Sequence, residues 1–392
     1  MKKSTRRRLV SVAIVLVLAL LLACSLMALR MSSDEKEAYR IELLRQEELM
    51  SQLSQEYESV QSHCEELETE IAELTDLGNG VQKHGQLAVQ DGQLVSESGE
   101  HVVLNGFSSH GLTWFPRFTN AAALATTKEY GANVFRVAMY TDQNEGYAYM
   151  QEENKNFMYM AVENTLSQDM YAIIDWHVLR DETPMLHIDK AIEFFEEVSS
   201  RYSNQKGIIY EICNEPNHGT TWEEIVEYAV VIIPIIRKNA PEAVILVGTP
   251  EYCSDLSGPM ENPLKYDNIL YSYHRYIDVS NDEQFVPGSI EDATDENLPI
   301  FVTEWGISYG ELDDEHIDSP KDSNLNFDKA WGFVDYMEEH ELSWCGWSLS
   351  NKPEAYSAIL PQCTKLSGWT EEDMTPSGVF MMQALMKERI SE

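Results

Sequence analysis

The stretch Gly207-Ile208-Ile209-Tyr210-Glu211-Ile212-Cys213-Asn214-Glu215-Pro216-Asn217 decides the reading of this chain. Ile208, Ile209 and Ile212 make a short apolar run of strand character. Pro216 has no N–H to donate, so regular strand pairing should stop near it. A carboxylate, Glu215, therefore sits at the C-terminal tip of a buried strand. A second such tip, Ile300-Phe301-Val302-Thr303-Glu304-Trp305-Gly306, comes 89 residues later. A lone glutamate after an apolar run is most often a solvated loop residue. Two of them, each beside amide or aromatic groups in a chain of alternating strands and helices, point to paired-carboxylate chemistry at the mouth of a barrel.

Working outward, eight strand-like runs alternate with helical stretches: 102–106, 133–140, 171–177, 207–215, 243–248, 269–276, 300–306 and 344–350. Repeats of this kind read as parallel βαβ units, and eight of them are the strand count of a (β/α)8 TIM barrel, an α/β fold. A doubly wound open sheet is the alternative, but no glycine-rich phosphate fingerprint follows any run. Before the first run, 85–104 reads as a hairpin turning at Asp91-Gly92, followed by Ser98-Gly99. Polar groups collect at the C-terminal ends of the runs, where sites of this fold lie. They include His110, Trp114 and Phe115 after the first run, Arg136 and Tyr140 in the second, and Asp175-Trp176-His177 in the third. His274 and Tyr276, Glu304 and Trp305, and Trp347 with Lys352 and Glu354 follow. Carboxylates, imidazoles and exposed indoles suit a sugar, whose apolar ring faces stack on aromatic rings while polar groups take its hydroxyls.

The remainder of the chain is of a different kind. Lys2, Lys3, Arg6, Arg7 and Arg8 precede 21 uncharged residues, Leu9–Leu29. As a helix this run spans roughly 30 Å, enough for a bilayer, and the basic flank puts the N-terminus in the cytoplasm. The expected arrangement is a single-pass, membrane-anchored protein on the cell surface with its catalytic domain outside. A cleaved secretory signal and a lipoprotein signal at Leu21-Leu22-Ala23-Cys24 are the alternatives. Residues 31–77 show apolar positions at steps of three and four, from Leu43 through Met50, Leu53, Tyr57, Val60, Cys64, Leu67 and Ile71 to Leu74, with Gln46 the polar exception. This is the pattern of a coiled-coil stalk and implies a homo-oligomer that Cys64 would crosslink; an amphipathic helix lying on the barrel is the alternative. A linker, 78–86, then leads to the barrel, 87–392.

Composition narrows the partners. Lys and Arg total 28 against 66 acids, a formal net charge of −38, which repels nucleic acid. The six cysteines show no metal spacing, and no metal or other cofactor is expected.

At YEICNEPN and FVTEWG the chain resembles glycoside hydrolase family 5, in particular the bacterial endoglucanases of the cellulase A type. SSHGLTW, FRVAMY, IIDWH, HRY and WSLSNK fall in the expected order, so the likeness runs from about Val81 to Ile390. The resemblance implies that Glu215 is the acid/base, Glu304 the nucleophile and Arg136 its electrostatic partner. It implies that Asn214 holds the sugar 2-hydroxyl, that His177, His274 and Tyr276 frame that sugar, and that Trp347 stacks on it. His110, Trp114, Phe115, Tyr140, Lys352 and Glu354 would line the glycone side. Phe115, Pro353, Gly310 and Glu311 depart from the family pattern and bear on substrate choice. The implied activity is retaining endo-β-1,4-glucan hydrolysis. A mannanase or xyloglucanase on the same scaffold, a non-catalytic carbohydrate-binding surface protein, and a coiled-coil assembly protein with an incidental barrel are the alternatives.

Overall fold

The computed structural model describes residues 78–278, 288–308 and 325–387, together with Arg40, Met50 and Ser54. The anchor, nearly all of the stalk, and Gly310 and Glu311 lie outside the described residues. Among the described residues, no helix is long and apolar enough to cross a membrane. The chain divides into two units, Met1–Asp76 and Leu77–Glu392, and the second contains the barrel.

A two-stranded hairpin comes first, β1 (Ala88–Gln90) against β2 (Gln93–Val95). Its turn residues Asp91 and Gly92 both have positive φ, 50° and 81°, the conformation a two-residue hairpin needs and the reason Asp-Gly serves there. Eight parallel strands then close into a barrel in the order β10-β3-β4-β5-β6-β7-β8-β9. They are β3 (Asn105–Ser109), β4 (Val134–Tyr140), β5 (Tyr171–His177), β6 (Ile208–Glu211), β7 (Val244–Val247), β8 (Ile269–Asp278), β9 (Ile300–Ser308) and β10 (Ser343–Leu349). A helix follows each: α1 (Ala121–Glu129), α2 (Gln151–Ser167), α3 (Ile188–Arg201), α4 (Trp222–Asn239), a short α5 (Ser257–Glu261), α6 (Gly288–Asp295), α7 (Phe327–Glu339) and α8 (Pro376–Met386).

Two strands differ from the sequence reading. The first begins at Asn105 rather than Val102, because Val102 and Leu104 pack with Leu87 and Leu94 into the barrel floor. There they meet Val134, Ile173, Ile209, Leu246, Leu270, Phe301 and Cys345, the inward residues of the lower strands. The ladder of the fourth ends at Glu211, four residues before Glu215. Beyond it the backbone is held by single bonds: Asn214 N–H donates to Trp176 O at 3.2 Å and Glu215 N–H to Val178 O at 3.0 Å. Glu215 thus sits on irregular backbone beyond the strand end.

Residues 78–86, read as a linker, are docked at the closed end. Asn79 Nδ2 donates to Gly131 O at 3.2 Å and the Gln82 N–H to Asp169 Oδ1 at 2.8 Å. Gly80 approaches Asp169 so closely that a Cβ would lie 1.7 Å from its carbonyl oxygen. Leu104 is fully buried in the floor, so Leu104→Ala should lower the unfolding free energy by about 2–5 kcal/mol, measured by urea denaturation. A loss below about 1 kcal/mol would mean that the floor is not tightly packed.

Candidate active site

Above the apolar floor the barrel turns polar, and one residue organises that layer. Arg136, inward on β4, is fully buried. Its Nε donates to Glu211 Oε2 at 2.6 Å and Nη1 to Glu304 Oε2 at 3.1 Å and Ser108 Oγ at 3.3 Å. Nη2 donates to Asn214 Oδ1 at 2.6 Å and lies 2.9 Å from Asp175 Oδ2. Burial disfavours the cation, but the three surrounding carboxylates hold it charged. Asp175 Oδ2 also meets His177 Nδ1 at 2.6 Å. Burial pushes Asp175 up to about 7 against the pull of Arg136, and keeps His177 neutral. The Asn214 amide donates to Val178 O at 3.0 Å while its oxygen faces Arg136, so its orientation is set from both sides.

The two glutamates meet above this layer. Glu304 Oε1 accepts from the Tyr276 hydroxyl at 2.5 Å, and Glu215 Oε1 lies 2.7 Å from His274 Nδ1, whose Nε2 is 2.9 Å from Thr303 Oγ1. One carboxylate oxygen of each glutamate and one nitrogen of His274 all lie within 4.8 Å of one another. Such a trio could in geometry hold a cation, but both His274 nitrogens are already hydrogen-bonded and Glu304 is engaged by Arg136 and Tyr276. Burial raises both acids, Glu215 to about 8 and Glu304 to about 7. The guanidinium does pull Glu304 down, but it is shared with Asp175 and Glu211, and burial outweighs it.

The residues to which the resemblance gives roles all lie in or around this cluster. His110 stacks on Tyr140, with ring centroids 5.8 Å apart, and Tyr140 lies 4.1 Å from His177. His177 stacks on Trp347 at 5.5 Å; Trp114 meets Tyr140 edge-on at 4.9 Å and Phe115 meets His110 at 5.0 Å. Lys352 Nζ lies 3.2 Å from His110 Nε2 and pairs with Glu354. Burial pushes His110 down to about 3 and raises Glu354.

Two indoles read as facing the mouth do not. Trp176 and Trp305 point outward, Trp176 against Phe194 and Trp305 against Phe333 and Trp344, because neighbours on a strand alternate faces. Asp175 was placed at its strand end without a role, and Glu211 was missed, as were Ser108, Ser272, Thr303 and Tyr356, whose ring is 5.0 Å from Tyr276. A signal existed for the two acids: each is a charged residue inside an otherwise apolar strand, and such a charge must be paired.

A family model described as cellulase, glycosyl hydrolase family 5, matches residues 95–353, which contain the whole cluster around Arg136. The chain belongs to glycoside hydrolase family 5. It is 38% identical over 315 residues to endoglucanase A of Butyrivibrio fibrisolvens, and 37% identical over 303 residues to an endoglucanase of Clostridium saccharobutylicum. These matches cover 79% and 77% of this chain and 70% and 65% of those proteins. The catalytic domain of Thermobifida fusca endoglucanase Cel5A superposes with a TM-score of 0.70 at 29% identity, over 79% of this chain and 99% of that domain. This family 5 enzyme is therefore a glycoside hydrolase.

The raised acid has a consequence for stability. The folded state holds the Glu215 proton more tightly than the unfolded chain does. The contribution is therefore full below the ordinary value of 4.5 and lost as pH rises towards about 8. The Tm of Glu215→Gln relative to the native enzyme should climb through that window and level off above it. A difference that stays flat with pH, by scanning fluorimetry, would contradict the burial of this carboxyl.

Proposed function

We propose that this hydrolase is a retaining endo-β-1,4-glucanase acting by double displacement. The observation that carries the reading is the separation of Glu215 and Glu304, whose nearest oxygens lie within 4.8 Å. Carboxyls about 5–5.5 Å apart leave no room for a water between nucleophile and anomeric carbon. Glu304, braced by Arg136 and the Tyr276 hydroxyl, attacks the anomeric carbon. The glycosidic C–O bond breaks as Glu215 gives its proton to the departing oxygen. A glycosyl ester on Glu304 remains. With the Glu304 charge gone, Glu215 becomes the stronger acid, stays ionised and takes a proton from the incoming water. That water releases the sugar with its original configuration and restores Glu304. The relatives' names favour a β-glucan as substrate over mannan or xyloglucan.

Purified enzyme should release reducing ends from carboxymethyl cellulose faster than from mannan or xyloglucan. Glu215→Gln and Glu304→Gln should each lose about 10²–10⁴-fold or more in kcat. Azide should restore turnover to Glu304→Ala with inverted product. The nucleophile must be ionised and the acid protonated, so kcat/KM should peak between about 7 and 8. Near-native turnover by either variant would reject the assignment.

The same reading puts the enzyme outside the cytosol on an anchor at 9–29 and a coiled-coil stalk, supported by the basic flank and the heptad spacing. Release from membranes only by detergent, and Cys64-dependent oligomers on non-reducing electrophoresis, are expected; free monomer alone would reject both.

A further inference from the structure

We propose that Glu211, which touches neither the mouth nor either catalytic glutamate, is a positioning residue for hydrolysis that acts through Arg136. The inference rests on the two-glutamate reading above. A guanidinium is planar, and here its two terminal nitrogens meet groups at the reacting end, Glu304 and Asn214. Those bonds hold the far edge of the plane and leave its near edge, at Nε, without an acceptor. The Nε–H bond to Glu211 Oε2, at 2.6 Å, fixes that near edge. Glu211 is itself fixed, because its Oε1 accepts from Ser272 Oγ at 2.9 Å. Ser272 lies on β8 two residues before His274, the imidazole bonded to Glu215. The path Ser272–Glu211–Arg136 therefore joins the strand that carries the acid's partner to the cation that holds the nucleophile. Glu211 is fully buried, so it cannot contact substrate.

Its charge acts as well as its shape. The ionisable groups that feel the charge of Arg136 or Glu211 are Asp175 and His177 from β5, Cys213 and Glu215 beyond β6, Cys253 beyond β7, His274 from β8, Glu304 from β9 and Cys345 from β10. Three carboxylates share one guanidinium, and the surplus of negative charge helps Glu215 keep its proton. Removing the Glu211 charge leaves Arg136 less neutralised, which favours the ionised forms of both catalytic acids.

The test compares Glu211→Gln, Ser272→Ala and Glu304→Gln in the full-length enzyme, with thermal unfolding as a check on folding. Glu211→Gln should lose about 10- to 100-fold in kcat/KM, with KM changing less than about threefold. The loss should persist on an aryl β-cellobioside whose leaving group needs no proton, since the nucleophile is what moves. Both limbs of its pH profile should shift to lower pH. Ser272→Ala keeps the charge and frees the carboxylate, so it should lose about 3- to 10-fold with the limbs in place. Glu211→Gln within twofold of the native enzyme, or inactive with unmoved limbs, overturns the proposal. Should Glu211→Gln fail to fold, native activity in Ser272→Ala overturns it. Turnover by Glu304→Gln would instead reject the underlying reading of the site.

Discussion

A guanidinium buried where water cannot reach it is the constraint on which this structure depends. Desolvating such a cation costs several kcal/mol, and it is tolerated only where its donors are matched. Arg136 finds its partners on four other parts of the cylinder: Ser108 on β3, Asp175 on β5, Glu211 and Asn214 on and beyond β6, and Glu304 on β9. None of these is near it in the chain. The residue is satisfied only when the barrel has closed, and closing the barrel is also what assembles the site. A buried ion cluster of this kind is a poor source of stability compared with apolar packing. Its value lies in the single arrangement it permits for Glu304, the Asn214 amide and the acids Asp175 and Glu211.

Stability comes from below. The floor of the cylinder is filled by aliphatic and aromatic side chains and plugged by Leu87, Leu94, Val102 and Leu104 from the hairpin region. On that base the middle layer carries more carboxylates than cations. Asp175, Glu215 and Glu304 are all raised chiefly by burial, Glu215 the most. The order of Glu215 and Glu304 suits the roles proposed for them, because the more basic one keeps its proton while the other ionises. Above them, a ring of His110, Trp114, Tyr140 and Trp347 supplies flat apolar surface around a polar centre.

Much of this was legible in the chain. A strand buried on both faces reads as a continuous apolar run, and eight such runs with helices between them gave the barrel. Asp91-Gly92 marked its turn because its backbone conformation suits few other dipeptides. Glu215 and Glu304 stood out because a charge at the end of an apolar run is unusual. Three things were less legible. Val102 and Leu104 are as apolar as any strand residue, so only packing against the floor separates them from β3. Trp176 and Trp305 sit beside site residues in sequence yet point the other way, since alternation reverses direction at each step. Glu211 was less legible because it lies inside the run and not at its tip, although a charged residue in an apolar run carries the same signal.

By itself the sequence determined the architecture and the family and marked the two glutamates proposed to react, because each is written in local pattern: periodicity, breakers and the types of residue at strand ends. Only the tertiary structure decided how strongly those residues hold their protons and which groups hold them in place. Both depend on burial and on sums over charges from several strands. No pattern along the chain states that Arg136 is shared among three carboxylates, or that this sharing lets burial keep Glu304 raised.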